Sequence, residues 1–314
     1  MHKPSNIVDI RESTFYNKNV NDNIKIACIG DIHISNLVGI DDIYKIINSL
    51  IEVDPDYICF VGDILDSPKE LTNENSLNNA KLLMDLCSEI APTLVVLGNH
   101  DFMYNGSKDV DDFYECMDEW EEICNIPNVN LLSDEVFSDD RIVVTGYRQK
   151  KDAYFSQNSK MKEDSMAFYN DFSSRQHLYR NLAKDKPKIL LTHSPEVIGN
   201  EKVQELLSEY DIILTGHYHN GCVPSFLEKV YPGNFGIITP TKRPFPKIAR
   251  GIKKLDNGSY LFLSGGWVKL SESAPKILQP LDIICNRQMD VINLTPDEKY
   301  INGCIQNKKL VLKK

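Results

Sequence analysis

The residues best equipped for chemistry in this chain stand in five short clusters: Asp31-Ile32-His33, Gly62-Asp63, Gly98-Asn99-His100-Asp101, His193, and Gly216-His217-Tyr218-His219. Of the seven histidines, only His2 and His177 fall outside them. A lone histidine is more often a satisfied or surface residue than a ligand. Five gathered beside Asp31, Asp63 and Asn99 are hard to explain as packing, and they predict a metal site. Carboxylate, imidazole and amide donors suit borderline divalent ions such as Mn, Fe, Zn or Co, with no thiolate required. The two-residue spacing in Asp31/His33 and in His217/His219 puts each pair on one side of an extended segment.

Each cluster follows a strand-like run. Ile24–Ile29, Tyr57–Val61, 93–97, 188–192 and 211–215 are short and apolar, as strands covered on both faces are. Between the first three lie amphipathic segments, Asp41 to Glu52 and Leu77 to Ile90, whose apolar residues recur at helical spacing. This β-α-β-α-β order predicts a parallel sheet with ligands gathered outside the carboxyl ends of its strands. Further along, Asp109 to Cys124 reads as an acidic helix, and 129–132 and 141–146 as short strands. Gln149 to Asp171 reads as a loop or flap leading into a helix that ends near Leu182, and another helix is expected to start near Pro195. A long Pro- and Gly-rich loop follows residue 221, and 251–255 and 259–264 form a hairpin around Asp256-Asn257-Gly258.

Length and composition bound the rest. A chain of 314 residues is long enough for a substantial core, and with no convincing linker or repeat it reads as a single domain over 1–314. Acidic residues outnumber basic ones, 45 to 35, for a formal charge of −10, which opposes general affinity for nucleic acid or anionic membrane. The eight cysteines show no CxxC pair, the N-terminus has no apolar leader, and no run is long and apolar enough to span a bilayer. A reducing, cytoplasmic setting is the expectation.

Taken together and in order, the five blocks resemble the pattern of the calcineurin-like metallophosphoesterases: D-x-H, G-D, G-N-H-[DE], a lone H and G-H-x-H. The resemblance covers residues 24 to 221. A weaker one, to a bacterial subgroup of small phosphodiesterases, extends it to about 294 and leaves 295–314 as a tail. It implies a four-layer α/β/β/α sandwich with a dinuclear metal site at the C-terminal ends of the strands, residues 222–294 completing the sandwich. It also implies two divalent ions. Asp31, His33 and His219 would hold one, Asn99, His193 and His217 the other, with Asp63 bridging. His100 would be the non-ligand histidine that stabilises phosphoryl oxygens or protonates the leaving alkoxide, with Asp101 fixing its orientation. Asp101 also reads as a helix N-cap. The implied activity is hydrolysis of a phosphodiester, pyrophosphate or related phosphoester by a metal-bound hydroxide.

Departures narrow the substrate. The protein Ser/Thr phosphatases resemble G-D-x-V-D-R-G at the second block, where this chain has Gly62-Asp63-Ile64-Leu65-Asp66-Ser67 without the arginine. The superfamily's DNA-repair nucleases add a DNA-binding region and coiled coils, which this acidic chain lacks. After His219 the small-phosphodiesterase subgroup usually continues Gly-Gly-Gln, against Asn220-Gly221-Cys222 here. A small or lipid-linked phosphoester is therefore expected, with a nuclease or a non-catalytic interaction module as alternatives. Lys242, Arg243, Lys247, Arg250, Lys253 and Lys254 concentrate charge that either meets an anionic headgroup or membrane surface or protects a hairpin edge. Arg148 either reaches a phosphate or makes an ordinary ion pair, and Trp267 either lines the pocket or joins the core.

Overall fold

A computed structural model describes residues 7–102, 116–149, 161–180, 182–195, 201–224, 244–270 and 285–311, together with 198, 227–228, 230, 234–239 and 282. Its elements are β1 (Ile7–Tyr16), β2 (Ile24–Ile29), α1 (Ile40–Val53), β3 (Tyr57–Val61), α2 (Glu74–Ile90), β4 (Thr93–Val96), α3 (Asn99–Phe102), α4 (Met117–Cys124), β5 (Val129–Leu131), β6 (Glu135–Ser138), β7 (Val143–Gly146), α5 (Met161–Ser174), β8 (Lys188–Leu191), α6 (Glu201–Leu206), β9 (Ile212–Thr215), β10 (Gly251–Lys254), β11 (Tyr260–Leu263), β12 (Arg287–Thr295) and β13 (Cys304–Val311).

Two mixed sheets are built from these strands, in the orders β13-β1-β12-β2-β3-β4-β5 and β10-β11-β9-β8-β7-β6. The alternation of side chains along each strand divides the core into three layers. Ile26, Cys28, Cys59, Val61, Leu94 and Val96 of the first sheet meet Val144, Ile189, Leu191, Leu214 and Phe262 of the second. Ala27, Ile29, Ile58, Phe60 and Val95 point the other way, onto the apolar faces of α1 and α2. Leu190, Ile213, Leu261 and Leu263 pack on α5 and α6 through Phe168, Phe172 and Val203. Helix, sheet, sheet and helix thus stack as the expected four-layer α/β/β/α sandwich.

Local chemistry sets the helix limits. α1 carries Asp41 and Asp42 in its first turn, where the positive end of the helix dipole favours them. Asn73 caps α2, its side chain accepting from the amides of Asn75 and Ser76, so α2 starts three residues before the periodicity at Leu77. Two strands lie where none was expected: β6, between the runs at 129–132 and 141–146, and β13, within the residues 295–314 expected to be a tail. β1 pairs in parallel with β12 and antiparallel with β13, so it sits between two strands from the far end of the sequence.

Other expectations fall partly outside the described residues: 109–115 of the acidic helix, 150–160 of the flap, the start near Pro195, and Lys242 and Arg243. The remaining cations of the basic segment do not form one surface. Lys247 is exposed, Arg250 is buried with its guanidinium on the Phe235 carbonyl, and Lys253 and Lys254 run along β10. No described helix is long and apolar enough to cross a membrane.

Candidate metal centre

β3 and β4 are paired in parallel through Val61 and Val96, so the turns that follow them leave the sheet at one level. Asp63 and the Gly98-Asn99-His100-Asp101 block are thereby brought side by side. A methyl group on Gly98 would lie 2.2 Å from Asp63 Oδ1, so only glycine permits this approach. The Asp31 turn joins them through Asp31 N–H to Gly62 O (3.0 Å) and His33 N–H to Asp63 O (3.0 Å). β8 and β9 of the second sheet deliver His193, His217 and His219 from the opposite side.

Ligand-type atoms converge as three groups among the described residues, each within 4.8 Å: Asp31, His33, Asp63 and His219; Asp63, His193 and His217; and His33, Asp66 and His100. Asp63 belongs to the first two. Its Oδ1 accepts from His100 N–H (2.8 Å), while Oδ2 stands 3.1 Å from His193 Nε2 and 3.7 Å from His33 Nε2. Asp31 Oδ1 accepts from His217 N–H (2.9 Å), which leaves Oδ2 to face inward. Asn99, first residue of α3, is buried beside them.

The backbone here is not extended, contrary to the two-residue spacing argument. Asp31 (φ 51°), His33 (54°), Asp63 (53°), His217 (70°) and His219 (45°) all lie in the left-handed region. Each such residue costs on the order of 1 kcal/mol, and surrounding hydrogen bonds hold it there. The two side chains of each D-x-H or H-x-H pair converge through turns rather than along a strand.

Histidine tautomers follow from their acceptors. A carbonyl oxygen can only accept, so His193 Nδ1 donates to Val61 O (2.6 Å), His219 Nδ1 to Val268 O (2.9 Å) and His100 Nδ1 to Asp66 O (2.6 Å). Each ring is thereby turned so that Nε2 faces the centre. His33 Nδ1 lies 3.2 Å from Asp66 Oδ1, leaving its Nε2 inward as well. Asp66 thus holds His33 through its carboxylate and His100 through its carbonyl. No role for it was read from sequence, although its place three residues after Asp63 was the available signal.

Electrostatics favour a cation. Burial pushes the pKa values of His217 and His219 below the ordinary histidine range, and neighbouring imidazoles add to this, so both present neutral lone pairs. For Asp63, burial works against the charged form, but His193, His100 and His33 outweigh it and hold the carboxyl well below its usual range. Asp31 Oδ2 and Asn99 Oδ1 are buried and hydrogen-bonded to nothing. Buried acceptors of this kind cost free energy unless something positive meets them, so the residues fit divalent ions.

Asp101 is placed differently from expectation. Its Oδ1 accepts from the amides of Ile64 and Leu65 (2.9 Å each) and its Oδ2 from Gly98 N–H (2.8 Å). At the third position of α3 it reaches back to the residue before the helix, as the acidic half of a capping box does. The contact that orients the His100 ring is the Asp66 carbonyl, not the Asp101 carboxylate. Burial and the neighbouring Asp63 push the Asp101 pKa up to about 7, while the Gly98 and Leu65 amides pull the other way.

A strap from Gly265 to Lys269 closes the back of the centre. Trp267 N–H and Val268 N–H bond to Gly30 O (2.9 Å) and Asp31 O (3.0 Å), and Val268 O is the acceptor for His219. The buried Lys269 ammonium ties the strap to itself through the Gly265 and Gly266 carbonyls. Trp267 is core rather than pocket, its Nε1–H donating to Asp42 in α1 (3.1 Å). Arg148 pairs with Asp134 at 3.8 Å, the ordinary ion pair of the two readings.

A family model described as calcineurin-like phosphoesterase matches residues 24–221, and the chain belongs to that family of metal-dependent phosphoester hydrolases. It is 26% identical over 214 residues to an uncharacterized metallophosphoesterase of Campylobacter jejuni, covering 67% of this chain and 47% of that protein. It is 25% identical over 219 residues to one of Helicobacter pylori, covering 69% and 50%. The chain thus spans about half the length of these relatives. A solved dimetal phosphatase from Danio rerio is similar at a TM-score of 0.44 and 10% identity, covering 78% of this chain and 88% of that one.

Proposed function

We propose that the protein hydrolyses a phosphodiester, in the manner of the small-phosphodiesterase subgroup, at a centre of two divalent ions. The observation that carries this is Asp63, whose carboxylate is shared by two ligand groups while its Oδ1 receives the amide of His100. In this reading Asp31, His33 and His219 hold one ion, and Asn99, His193 and His217 the other. Mn, Fe, Zn and Co all match the oxygen and nitrogen donors. Such ions, when bound, supply Lewis acidity toward phosphoryl oxygens and lower the pKa of water. His100 supplies the proton. Its ring stands edge-on to His33 at 4.7 Å between centroids, and with Nδ1 engaged by Asp66 the free Nε2 is left to protonate the leaving alkoxide. The absence of an arginine after Asp66 in the second block favours a small or lipid-linked substrate over a phosphoprotein. β1 and β13 join the sheet that carries β2 to β5, which supports reading residues 1–314 as one domain.

The test is hydrolysis of bis-p-nitrophenyl phosphate and p-nitrophenyl phosphate by metal-stripped protein, with Mn, Fe(II), Zn and Co restored singly and single-stranded and duplex DNA run in parallel. Diester cleavage that returns with metal and is lost in His100→Ala supports the reading. Preference for the monoester or for DNA overturns the substrate class. Absence of all hydrolysis despite two bound ions overturns the activity.

A further inference from the structure

β8 ends at Leu191, two residues short of His193, so the main chain that carries this ligand has already left the regular sheet. One flank is still held by β9 and the turn after it, through Thr192 N–H to Leu214 O (3.1 Å) and Gly216 N–H to His193 O (2.9 Å). On the other flank β7 stops at Gly146, with Tyr147 N–H on Leu191 O (2.9 Å) as a rung just past its end. Beyond that rung a side chain takes over from the strand. Gln149 Oε1 accepts from Ser194 N–H (2.6 Å), and Gln149 Nε2 donates to Ser194 O (2.8 Å). The carboxamide thus meets both main-chain polar groups of the residue after His193, work that a neighbouring strand does elsewhere in the sheet.

Gln149 is 1% exposed and Ser194 is wholly buried, so neither has water to fall back on. Without the carboxamide, the Ser194 amide and carbonyl would have to move to find partners. Ser194 is bonded directly to His193, so that movement shifts the point from which the imidazole hangs. The ring has little tolerance for it. Its Nδ1 donates to Val61 O (2.6 Å) in the first sheet, and its Nε2 stands 3.1 Å from Asp63 Oδ2. His193 therefore spans the two sheets, its ring fixed on the first and its main chain on the second. Both ends fit only while β9 and Gln149 clamp the chain between them.

We propose that Gln149 is the positioning residue of His193, completing the flank that β7 leaves open and so setting the affinity of the ion assigned to Asn99, His193 and His217. The ion assigned to Asp31, His33 and His219 rests on the Asp66 turn and the strap at Gly265 to Lys269 instead, and should be indifferent to it. The proposal takes its two ions from the phosphodiesterase reading, whereas the placement of the ring is measurable without metal.

Metal-stripped, full-length protein is titrated with Mn(II), with the free ion followed by electron paramagnetic resonance. Gln149→Met removes both bonds at nearly unchanged length. One of the two ions should then bind about 10–100-fold more weakly, while the other stays within about twofold of the parent. In a His217→Ala background, where the same ion is already weakened, adding Gln149→Met should leave the remaining ion unchanged. Gln149→Glu still accepts from Ser194 N–H but, as a carboxylate, cannot donate to Ser194 O, so it should fall between parent and methionine. It carries the same comparison if the methionine variant does not accumulate. In metal-free protein labelled with 15N-histidine, either variant should move the ring signals of His193 and leave those of His33 and His219 in place. Equal weakening of both ions, the sign of general loosening, would overturn the proposal. So would parental binding in both variants, or a further loss in the His217→Ala background. A parent that binds no ion, with His193 signals that still move, would sink the two-ion reading and leave the positioning intact. Two ions in the parent, with His193 signals that neither variant moves, would do the reverse.

Discussion

Replacing Asp101 by Asn separates a structural role from a catalytic one. The carboxylate accepts three buried amides, from Ile64, Leu65 and Gly98. Asparagine keeps one oxygen, which can still serve Ile64 and Leu65, but turns an NH2 group toward the Gly98 amide. One buried N–H is then left without an acceptor, a loss of about 1–3 kcal/mol. For a chain of this size that lowers the melting temperature by roughly 2–6 °C. Alanine would strand all three amides, about 3–9 kcal/mol, which approaches the whole stability of an ordinary protein, ~5–15 kcal/mol. The alanine variant should therefore fail to accumulate in soluble form. Because His100 is oriented by the Asp66 carbonyl, Asp101→Asn should keep kcat within about tenfold of the parent. Thermal melts and steady-state kinetics on the same preparation decide it. An unchanged melt with kcat reduced about 10²-fold or more, a loss of some 2.7 kcal/mol, would mean that Asp101 serves the proton donor after all.

His100→Ala should leave bound metal at the parental level while lowering kcat about 10²–10⁴-fold, the usual worth of a positioned acid; equal loss of metal, measured by elemental analysis, would make His100 a ligand. Asp63→Ala should empty both positions together, and a variant that retains two ions refutes the shared carboxylate. The His193 pKa is the balance of burial, which lowers it, and the Asp63 carboxylate, which raises it, and it comes to about 9 in the metal-free protein. Metal must displace that proton, so apparent affinity should rise with pH up to about 9, with proton release visible as a buffer-dependent heat of binding. By the same linkage, the charged pair adds stability to the metal-free protein that is complete below the ordinary histidine value of 6.5 and lost as pH rises through about 9. A metal-free melting temperature that does not fall across that window contradicts the pairing.

The ligand candidates were legible because each sits within a few residues of an apolar strand end, where side-chain type and neighbours are both written in the sequence. Their partners were not. His193 and His219 lean on the carbonyls of Val61 and Val268, and a backbone acceptor leaves no trace in residue type. Asp101 misled because the family pattern implied a partner for His100, whereas the turn after β4 points its carboxylate at the Gly98 amide and the Asp63 turn. The strands at the far end were obscured for opposite reasons. β12 is central and buried yet carries Arg287 and Asp290, whose charges are met by Asp42, Asp282 and Arg11. β13 is an edge strand whose Gln306, Asn307, Lys308 and Lys309 are exposed, the polarity that discourages further pairing and that also reads as a tail.

The position of β1 between β12 and β13 has a consequence for how the protein is made. A ribosome releases residues 7–16 well before residues 287–311, so β1 waits, with both edges bare, for partners translated about 270 residues later. Arg11 on that strand reaches Asp290 and the Leu263 carbonyl, and Asp290 in turn receives the amide of Gly265, where the strap behind His219 begins. The nascent chain can fold β2 to β5 and their helices in passing, but the strap stays loose until β12 has been made. A truncated chain therefore displays the ligand motifs without the support that sets their geometry, and a bare β1 is the segment a holding chaperone would be called on to cover.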